Sequence, residues 1–238
     1  MSDEKVIEVA DLVQMSGREK VFDGLSFELL AGECLGVFGL RGSGKTALLH
    51  IVAGVERFKS GKITVLGDDI RKSQKYKKHI GLITQQKSLF QDLRAGENVD
   101  FIATLKGADG QDIDSLVDAL ELRPYLAQPV GKIDPGVYQR LALACALIGS
   151  PRILIADQAI KDIDLNSRYI IKHVVREFLD NGGSCLCSFS STEYFDYMDR
   201  IAWLENGQVT LLGPHVAQER WQSMLAAAAD IESGEQDG

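Results

Sequence analysis

The feature that most constrains the fold is the octapeptide GlyLeuArgGlySerGlyLysThr at residues 39–46. It fits the pattern Gly-x-x-x-x-Gly-Lys-Ser/Thr and stands between an apolar run at 34–38 and a segment of helical periodicity that follows Gly44. A strand, a glycine-rich turn and a helix in this order make a loop whose backbone N–H groups can surround a phosphate. The residues predicted to form this phosphate-binding loop are Gly39, Leu40, Arg41, Gly42, Ser43, Gly44, Lys45, Thr46 and Ala47.

The loop also indicates the chemistry of its ligand. In loops of this pattern the lysine reaches the β- and γ-phosphates of a nucleoside triphosphate, and the serine or threonine hydroxyl ligates Mg²⁺. Lys45 and Thr46 are therefore candidates for binding ATP and magnesium. The alternative is a chance glycine-rich turn before a helix. Because kinases, GTPases and transport ATPases share the loop, it predicts the class of ligand and leaves the biological role open.

Apolar patterns typical of strands and of helices alternate along the chain. Alternation between residues 6 and 38, with turn residues at Gly17, Asp23–Gly24 and Gly32, predicts short strands. Strands are also predicted at 62–66, 80–84, 153–156 and 185–189, with a helix at 166–179, helices throughout 87–150, and at 215–238 a helix with a polar tail that frays. This alternation favours an α/β fold with a mostly parallel sheet, whose ligand lies at the carboxyl ends of the strands.

The charge balance argues against a general nucleic-acid-binding protein. The chain carries a net charge of −8 and a sequence pI near 5.1, whereas affinity for phosphate backbones needs clustered Lys and Arg. The basic cluster at 71–78 is interpreted as a solvated connecting segment, with an acidic partner or anionic lipid as the alternative. The acidic start lacks the apolar core of a signal peptide, and no apolar run approaches the roughly 20 residues that span a bilayer. Any membrane role is expected to come through a partner chain.

The cysteines and histidines show none of the spacings typical of metal sites. The thiols lie in apolar runs, where cysteine behaves as a small hydrophobe, and this favours a reducing compartment and no structural metal. The residues concerned are Cys34, Cys145, Cys185, Cys187, His50, His79, His173 and His215.

Read outward from the loop, further segments resemble the nucleotide-binding subunit of ATP-binding-cassette (ABC) transporters. IleGlyLeuIleThrGlnGln and the residues that follow, 80–99, are similar to the glutamine loop of that family, and 129–147 is similar to its signature segment. ProArgIleLeuIleAlaAspGln, 151–158, resembles the second Walker motif, and Asp164 falls at the D-loop aspartate. The resemblance covers nearly all of residues 6–215. PheIleAlaThrLeuLysGly, 101–107, is most similar to cassettes of exporters whose membrane chains are separate polypeptides.

The resemblance implies one nucleotide-binding domain over residues 1–238. Its fold would be a P-loop NTPase core with a mostly parallel sheet, an N-terminal antiparallel β lobe and a helical lobe inserted at 87–150. Gln85 would sense the γ-phosphate and Mg²⁺, and Asp157 would hold Mg²⁺. For both residues the alternative is a polar residue that merely ends a strand. By the same resemblance, the signature residues Asp134, Pro135 and Gly136 would contact ATP bound to the opposite subunit.

Two departures from the family pattern concern the water that attacks ATP. Gln158 occupies the position of the catalytic glutamate, and an amide cannot accept a proton from water. A positioned base contributes roughly 10²–10⁴ in rate. The switch histidine of the family is absent, because Phe189 or Ser190 stands at its position.

Two further departures concern how ATP is held. Asp134 and Pro135 stand where the family signature has serine and glycine, so a carboxylate would face phosphate and a backbone donor is lost. Met15 or Ser16 stands where the family stacks an aromatic ring on adenine. Because Ala159 and Ile160 also replace the usual Pro-Thr, the pattern favours a naturally degenerate cassette over an engineered Glu→Gln change in an active enzyme.

The leading hypothesis is therefore a cytoplasmic ATP-binding subunit that binds MgATP, hydrolyses it poorly, and reaches the membrane through a permease subunit. Each site of the family joins one chain's loop to the other chain's signature, so a homodimer would have two impaired sites and a heterodimer with an active cassette is expected. One alternative is an ordinary active transport ATPase in which Asp162 or Asp164 positions water. The other is a soluble structural or signalling cassette without a membrane partner.

Overall fold

Five consecutive buried residues form the strand that leads into the glycine-rich loop, and the rest of the fold is arranged around it. The computed structural model describes residues 4–108 and 110–234. Its strands are β1 (Lys5–Ser16), β2 (Glu19–Leu30), β3 (Cys34–Phe38), β4 (Ser60–Val65), β5 (Asp68–Asp69), β6 (Ile80–Ile83), β7 (Ile153–Asp157), β8 (Ser184–Phe189), β9 (Arg200–Glu205) and β10 (Gln208–Leu212). Its α-helices are α1 (Lys45–Val52), α2 (Ala95–Lys106), α3 (Gly110–Ala119), α4 (Pro135–Leu147), α5 (Leu165–Asp180) and α6 (Pro214–Gly234).

The main sheet has the strand order β10-β9-β3-β8-β7-β6. The neighbours from β9 to β6 run parallel, and β10 is antiparallel at the edge. A second, antiparallel sheet has the order β2-β1-β4-β5, and α2, α3 and α4 all lie between β6 and β7 in the chain. These features confirm the predicted α/β fold with a parallel-rich sheet, an N-terminal antiparallel lobe and inserted helices.

Two apolar layers cover the two faces of the main sheet. On one face, the N-terminal sheet and α1 pack around residues such as Phe22, Leu48 and Ile63. On the other, α4 and α5 pack against the sheet through residues such as Leu143 and Ile171. Parallel strands are covered on both faces in α/β folds, which explains why β3 and β7 contain only buried residues.

The turn predicted at Asp23–Gly24 is wrong. β1 and β2 are each 12 residues long and pair continuously, and Leu12 pairs with Leu25 while the next residue, Val13, pairs with Asp23. Gly24, with φ of 74°, is therefore the extra residue of a β-bulge. A glycine adopts this left-handed conformation without a steric penalty, so the strand bends there and does not end.

The C-terminal helix is longer than the sequence predicts. α6 continues to Gly234 and so includes the first residues of the polar stretch expected to fray. The remainder of that stretch, 235–238, and the acidic start at 1–3 lie outside the described residues. In the basic segment 71–78, predicted to be solvated, the Tyr76 ring is fully buried. Within the described residues, no helix combines the length and apolar character needed to cross a membrane.

Candidate nucleotide site

The carboxyl ends of the central parallel strands meet at one edge of the main sheet. β3 ends at Phe38 and passes into the glycine-rich loop, and α1 begins at Lys45. Gly42 and Gly44 have φ of 85° and 100°, a conformation that other residues rarely adopt. A Cβ atom on Gly39 would lie 2.5 Å from the Leu204 carbonyl oxygen. Glycine is therefore required both for the turn and for its close contact with β9.

Lys45 lies at the start of α1 with its side chain inside the loop. Its residue surface is only 5% exposed, and Nζ donates hydrogen bonds to the carbonyl oxygens of Gly39 (2.6 Å) and Leu40 (2.9 Å). Burial lowers the pKa of the Lys45 ammonium, the nearby Asp157 carboxylate opposes that change, and Lys161 adds to it. The ammonium is thus held within the loop that would surround a phosphate.

Asp157 is the last residue of β7 and is completely buried. It pairs in register with Ser188 of β8, and the Ser188 hydroxyl donates a hydrogen bond to Asp157 Oδ1. Oδ2 has no hydrogen-bond partner. A buried carboxylate oxygen without a protein donor is costly unless another group binds it, and carboxylate oxygens are preferred ligands of Mg²⁺. The free Asp157 oxygen therefore fits a magnesium ion, and Thr46 in the loop offers the hydroxyl that this loop pattern supplies to such an ion.

A cavity of about 890 Å³ lies beside the loop. The predicted loop residues that line it are Arg41, Gly42, Gly44, Lys45, Thr46 and Ala47, and the predicted residues Gln85 and Gln158 line it as well. Gly39, Leu40 and Ser43 instead face a smaller cavity next to Trp203, and Asp157 is buried below the lining. The structure thus brings most of the predicted binding residues to one cavity.

Sequence analysis missed two polar side chains at this edge of the sheet. Lys161 lines the cavity and joins Arg41 and Lys45 as a third cation, which suits a polyanionic ligand. Ser188 orients Asp157, and its only sequence signal is one polar residue in the apolar strand 185–189. No local sequence pattern marks Lys161, because only the folded turn after β7 directs its side chain to the cavity.

Gln158 occupies a strained position directly after Asp157. Its φ is 51°, and its backbone N–H donates to the Ser188 carbonyl oxygen at 3.2 Å. A non-glycine residue in this conformation costs of order 1–3 kcal/mol and persists where the surroundings fix it. The half-buried amide is thereby held at the cavity wall.

Two carboxylates do line the cavity, but they lie on other elements. Glu19 begins β2 and pairs with Ser16, the last residue of β1. Glu56 follows the C-terminal end of α1 and pairs with His50 at 3.1 Å. Neither Asp162 nor Asp164, the two acids considered as substitutes for a base, is among the lining residues.

The structure bears on two positions that the sequence left open. Ser190 lines the cavity, whereas the Phe189 ring packs against Phe38 and Tyr194, so of the two only Ser190 faces the nucleotide cavity. Met15 and Ser16 both line the cavity, and none of its described lining residues is aromatic.

The residues predicted to form the signature are not among the lining of this cavity and lie at the start of α4. Asp134 precedes the helix and Pro135 is its first residue, a position where the missing N–H of proline costs no helical hydrogen bond. Both are exposed. A Cβ atom on Gly136 would overlap Asp164 Oδ2, and Asp164 caps α5 by accepting a hydrogen bond from the Ser167 N–H at 2.8 Å. The starts of α4 and α5 are therefore packed directly together.

Comparison with known proteins agrees with this geometry. Residues 22–161 match the family model described as ABC transporter. The chain belongs to the ABC transporter family. It is 31% identical over 216 residues to the Nod factor export ATP-binding protein I of Sinorhizobium fredii, a match that covers 88% of this chain and 63% of that protein. It is 27% identical over 220 residues to the Fe(3+) ions import ATP-binding protein FbpC of Pasteurella multocida, with 90% and 63% covered.

Solved structures share the fold of this ABC family member. An ATP-binding subunit of an ABC transporter superposes with a TM-score of 0.82 at 20% identity, and the match covers 91% of this chain and 93% of that one. A dimeric ATP-binding cassette bound to ADP and phosphate superposes with a TM-score of 0.80 at 21% identity, with 87% and 98% covered. The chain spans about 63% of the length of the two curated relatives named above. Because those relatives include an export and an import protein, the expectation of an exporter stays a prediction.

Proposed function

We propose that this chain is the ATP-binding subunit of an ABC transporter, that it binds MgATP at residues 39–47 and hydrolyses it weakly or not at all, and that it works with a second, active cassette. The observation that carries this proposal is the side chain at the cavity wall directly after Asp157. Gln158 stands there, held by its backbone, where a general base would have to act. An amide can hydrogen-bond to water but cannot accept its proton.

The proposed binding of MgATP rests on the charges around the cavity. Arg41, Lys45 and Lys161 supply three cations to its lining, and α1 directs its N-terminal N–H groups toward the loop. The unpartnered Oδ2 of Asp157 supplies the acidic ligand that Mg²⁺ prefers. With ATP bound, Lys45 would exchange its two carbonyl acceptors for phosphate oxygens, which are stronger acceptors for an ammonium.

The proposed pairing with a different, active cassette rests on the residues predicted to form the signature. If the family arrangement holds, the exposed start of α4 faces the γ-phosphate on an opposing subunit. Asp134 would bring a negative charge there, and Pro135 would offer no N–H. Two copies of this chain would therefore form two sites that each lack a base and a favourable clamp. A partner cassette with an intact signature would complete the site on this chain, and that site would hold ATP with little hydrolysis.

The proposed contact with a membrane subunit rests on an exposed apolar surface on and beside α2. Phe90 is 52% exposed, Phe101 is 43% exposed, and their rings meet edge to face at 5.2 Å. Leu105 on the same helix is also exposed. Contiguous exposed apolar side chains mark interaction surfaces. Because this surface begins five residues after Gln85, we assign it to an integral membrane permease subunit, which would keep the chain peripheral on the cytoplasmic face of the membrane.

A binding measurement tests the site. Isothermal titration of the purified chain with MgATP should show one site, and Lys45→Ala should weaken it by about 100-fold or more, because charge-assisted hydrogen bonds are worth about 1.5–3 kcal/mol each. The matched control is Lys59→Ala, an exposed lysine outside the cavity, which should bind as the unmodified chain does. Equal binding by Lys45→Ala and the unmodified chain would exclude this site.

A phosphate-release assay tests whether the chain hydrolyses ATP only weakly. The unmodified chain should release phosphate near the background rate, and Gln158→Glu alone should gain little because the signature stays impaired. Adding Asp134→Ser and Pro135→Gly to Gln158→Glu should raise the rate further, since a complete site can use the roughly 10²–10⁴-fold contribution of a base. Brisk turnover by the unmodified chain would disprove the proposal of weak hydrolysis.

A pull-down from native membranes tests the partners. The tagged chain should co-purify with an integral membrane protein and with a second ATP-binding cassette. The double variant Phe90→Ser/Phe101→Ser should lose the membrane protein and still bind MgATP. Recovery of a strictly monomeric chain without membrane protein would instead favour a soluble role.

A further inference from the structure

Three of the four cysteines lie together on the face of the main sheet that α5 covers. Cys34 of β3 and Cys185 of β8 are register partners on neighbouring strands. Cys187 is two residues further along β8 and therefore points to the same face as Cys185. All three Sγ atoms lie within 4.8 Å of one another. The spacing of these cysteines in the sequence does not predict this proximity.

A fourth sulfur atom completes the group. Met198, in the segment just before β9, places Sδ 3.6 Å from Cys34 Sγ and 3.5 Å from Cys187 Sγ. For metal–sulfur bonds of about 2.3 Å, the edge of a tetrahedron of sulfur ligands is about 3.8 Å. The two separations that involve Met198 are close to that value, and small side-chain rotations would bring the cysteine Sγ atoms, which lie within 4.8 Å of one another, to it.

We propose that the sulfur cluster, Cys34, Cys185, Cys187 and Met198, is a binding site for the soft monovalent metal ion Cu(I). Thiolate and thioether ligands select soft ions, and a thioether favours Cu(I) over Zn²⁺, whose usual protein ligands are thiolate, imidazole and carboxylate. Each thiol that coordinates as a thiolate releases its proton to solvent. The site is separate from the nucleotide cavity, because its residues are not among the lining of that cavity.

The surroundings of the cluster suit a bound ion. The four residues line an otherwise largely apolar cavity of about 250 Å³ between the sheet, α5 and the segment before β9. The Asp199 carboxylate accepts a hydrogen bond from the Cys34 N–H at 2.8 Å and so fixes the backbone of one ligand. Tyr197 and Lys172 also line the cavity, and the Tyr197 side chain is exposed, which gives the ion a route from solvent.

The test is a competition for Cu(I) under anaerobic, reducing conditions. The full chain is titrated with Cu(I) against the colorimetric chelator bathocuproine disulfonate. The unmodified chain should retain one equivalent. Cys187→Ser should lose it, and Met198→Leu, which preserves volume and so the fold, should weaken it by about tenfold or more. The matched control is Cys145→Ser, a buried cysteine of α4 outside the cluster, which should retain Cu(I) unchanged.

Each other outcome would overturn the proposal. If the cysteines serve only as apolar packing, the unmodified chain will yield all Cu(I) to the chelator. Equal loss in Cys145→Ser would place the ion elsewhere, and Zn²⁺ binding as tightly as Cu(I) would assign the site to a different ion. X-ray absorption of the loaded chain should show only sulfur neighbours, and nitrogen or oxygen ligands would contradict the assignment. MgATP binding by each variant reports whether it is folded.

Discussion

Asp157 and Gln158 are adjacent in the chain, but the fold gives them different environments. Asp157 ends β7 with its side chain buried beneath the nucleotide cavity and oriented by the Ser188 hydroxyl. Gln158 turns out of the strand with φ of 51° and presents its amide at the cavity wall. The Asp157 carboxylate can hold a metal ion, whereas the Gln158 amide cannot accept a proton from water. Metal binding and the activation of water are thus the tasks of two different residues.

Asp157→Asn should remove the magnesium dependence of ATP binding. The substitution keeps the size of the side chain but removes the charge of the oxygen that has no protein partner. We expect MgATP affinity to fall by about tenfold or more, toward the affinity for ATP in EDTA, as for the loss of one charge-assisted contact. The measurement is calorimetric titration with and without Mg²⁺. Asp162→Asn, on the exposed turn, is the matched control, and a Mg²⁺ effect that survives in Asp157→Asn would contradict the assignment.

Asp164 should stabilise the fold in a pH-dependent way. The hydrogen bonds from Ser167, its backbone N–H first, lower the pKa of the Asp164 carboxyl, and Arg140 adds to this. A lowered folded-state pKa means that the stabilisation is present above the unfolded value near 3.9 and is lost as the pH falls through the folded value. Asp164→Ala should cost about 0.5–1 kcal/mol at pH 7, since this cap is exposed to solvent, and almost nothing in strong acid.

Urea unfolding at a series of pH values measures this difference. Asparagine is as good an N-cap as aspartate and does not titrate, so Asp164→Asn should stay near the unmodified stability at pH 7. In acid it should become the more stable of the two. If Asp164→Ala unfolds at the same urea concentration as the unmodified chain at pH 7, the capping role is wrong.

Among the secondary-structure elements, the most accurately predicted ones are those whose bounds follow from a single apolar pattern. The continuous apolar runs became β3 and β7 at nearly the predicted bounds, because a strand buried on both faces needs apolar residues throughout. The bulge at Gly24 was not predictable, since a glycine in a strand and a glycine in a turn give the same local signal. The sulfur cluster was not predictable either, because strand register joins residues about 150 positions apart.

One buried ion pair joins the end of the N-terminal lobe to the main sheet. The Glu33 carboxylate lies in the turn between β2 and β3 and is fully buried. It accepts hydrogen bonds from Nε and, at 2.9 Å, an Nη of Arg200 at the start of β9, and from the Leu30 N–H at 2.7 Å. The Glu33 hydrogen bonds raise the pKa of Arg200, so the guanidinium stays charged. Arg200 therefore supplies most of the charge and hydrogen bonding that offset the cost of burying the Glu33 carboxylate.

Arg200→Met should destabilise the protein by about 3 kcal/mol, the lower end for breaking a buried pair, because the arginine side chain keeps 27% of its surface exposed. The cost arises because the Glu33 charge would remain buried without its partner. The double variant Glu33→Gln/Arg200→Met should recover part of the loss, since the remaining amide carries no charge. Chemical denaturation measures both. If the two variants are equally destabilised, the cost comes from lost packing and not from the unpaired charge.

In the molecule as a whole, the two proposed halves of a nucleotide site lie on different parts of one chain. The loop and Asp157 lie at the edge of the main sheet, and the start of α4 lies outside the cavity they line. If a second subunit supplies the missing half, the loop half of this chain is competent and its signature half is impaired. This asymmetry is the physical reason to expect a partner that differs from this chain.

The asymmetry predicts how the purified chain associates in ATP. Two unmodified chains with MgATP should stay monomeric, because each ATP-bound loop would meet the Asp134 carboxylate of the other copy, and like charges at close range repel. Asp134→Ser/Pro135→Gly removes that charge and restores an N–H donor, so this variant should form an ATP-dependent dimer. Gln158 should then make the dimer long-lived, because the trapped ATP is not hydrolysed.

Size-exclusion chromatography with light scattering measures the association with and without MgATP. Lys45→Ala added to the signature variant is the control, and it should return the protein to monomers because no ATP bridges the two copies. Adding Gln158→Glu should shorten the lifetime of the dimer, since hydrolysis would now remove the bridging nucleotide. A stable dimer of the unmodified chain in MgATP would show that Asp134 does not face the nucleotide, and the argument for an unlike partner would then fail.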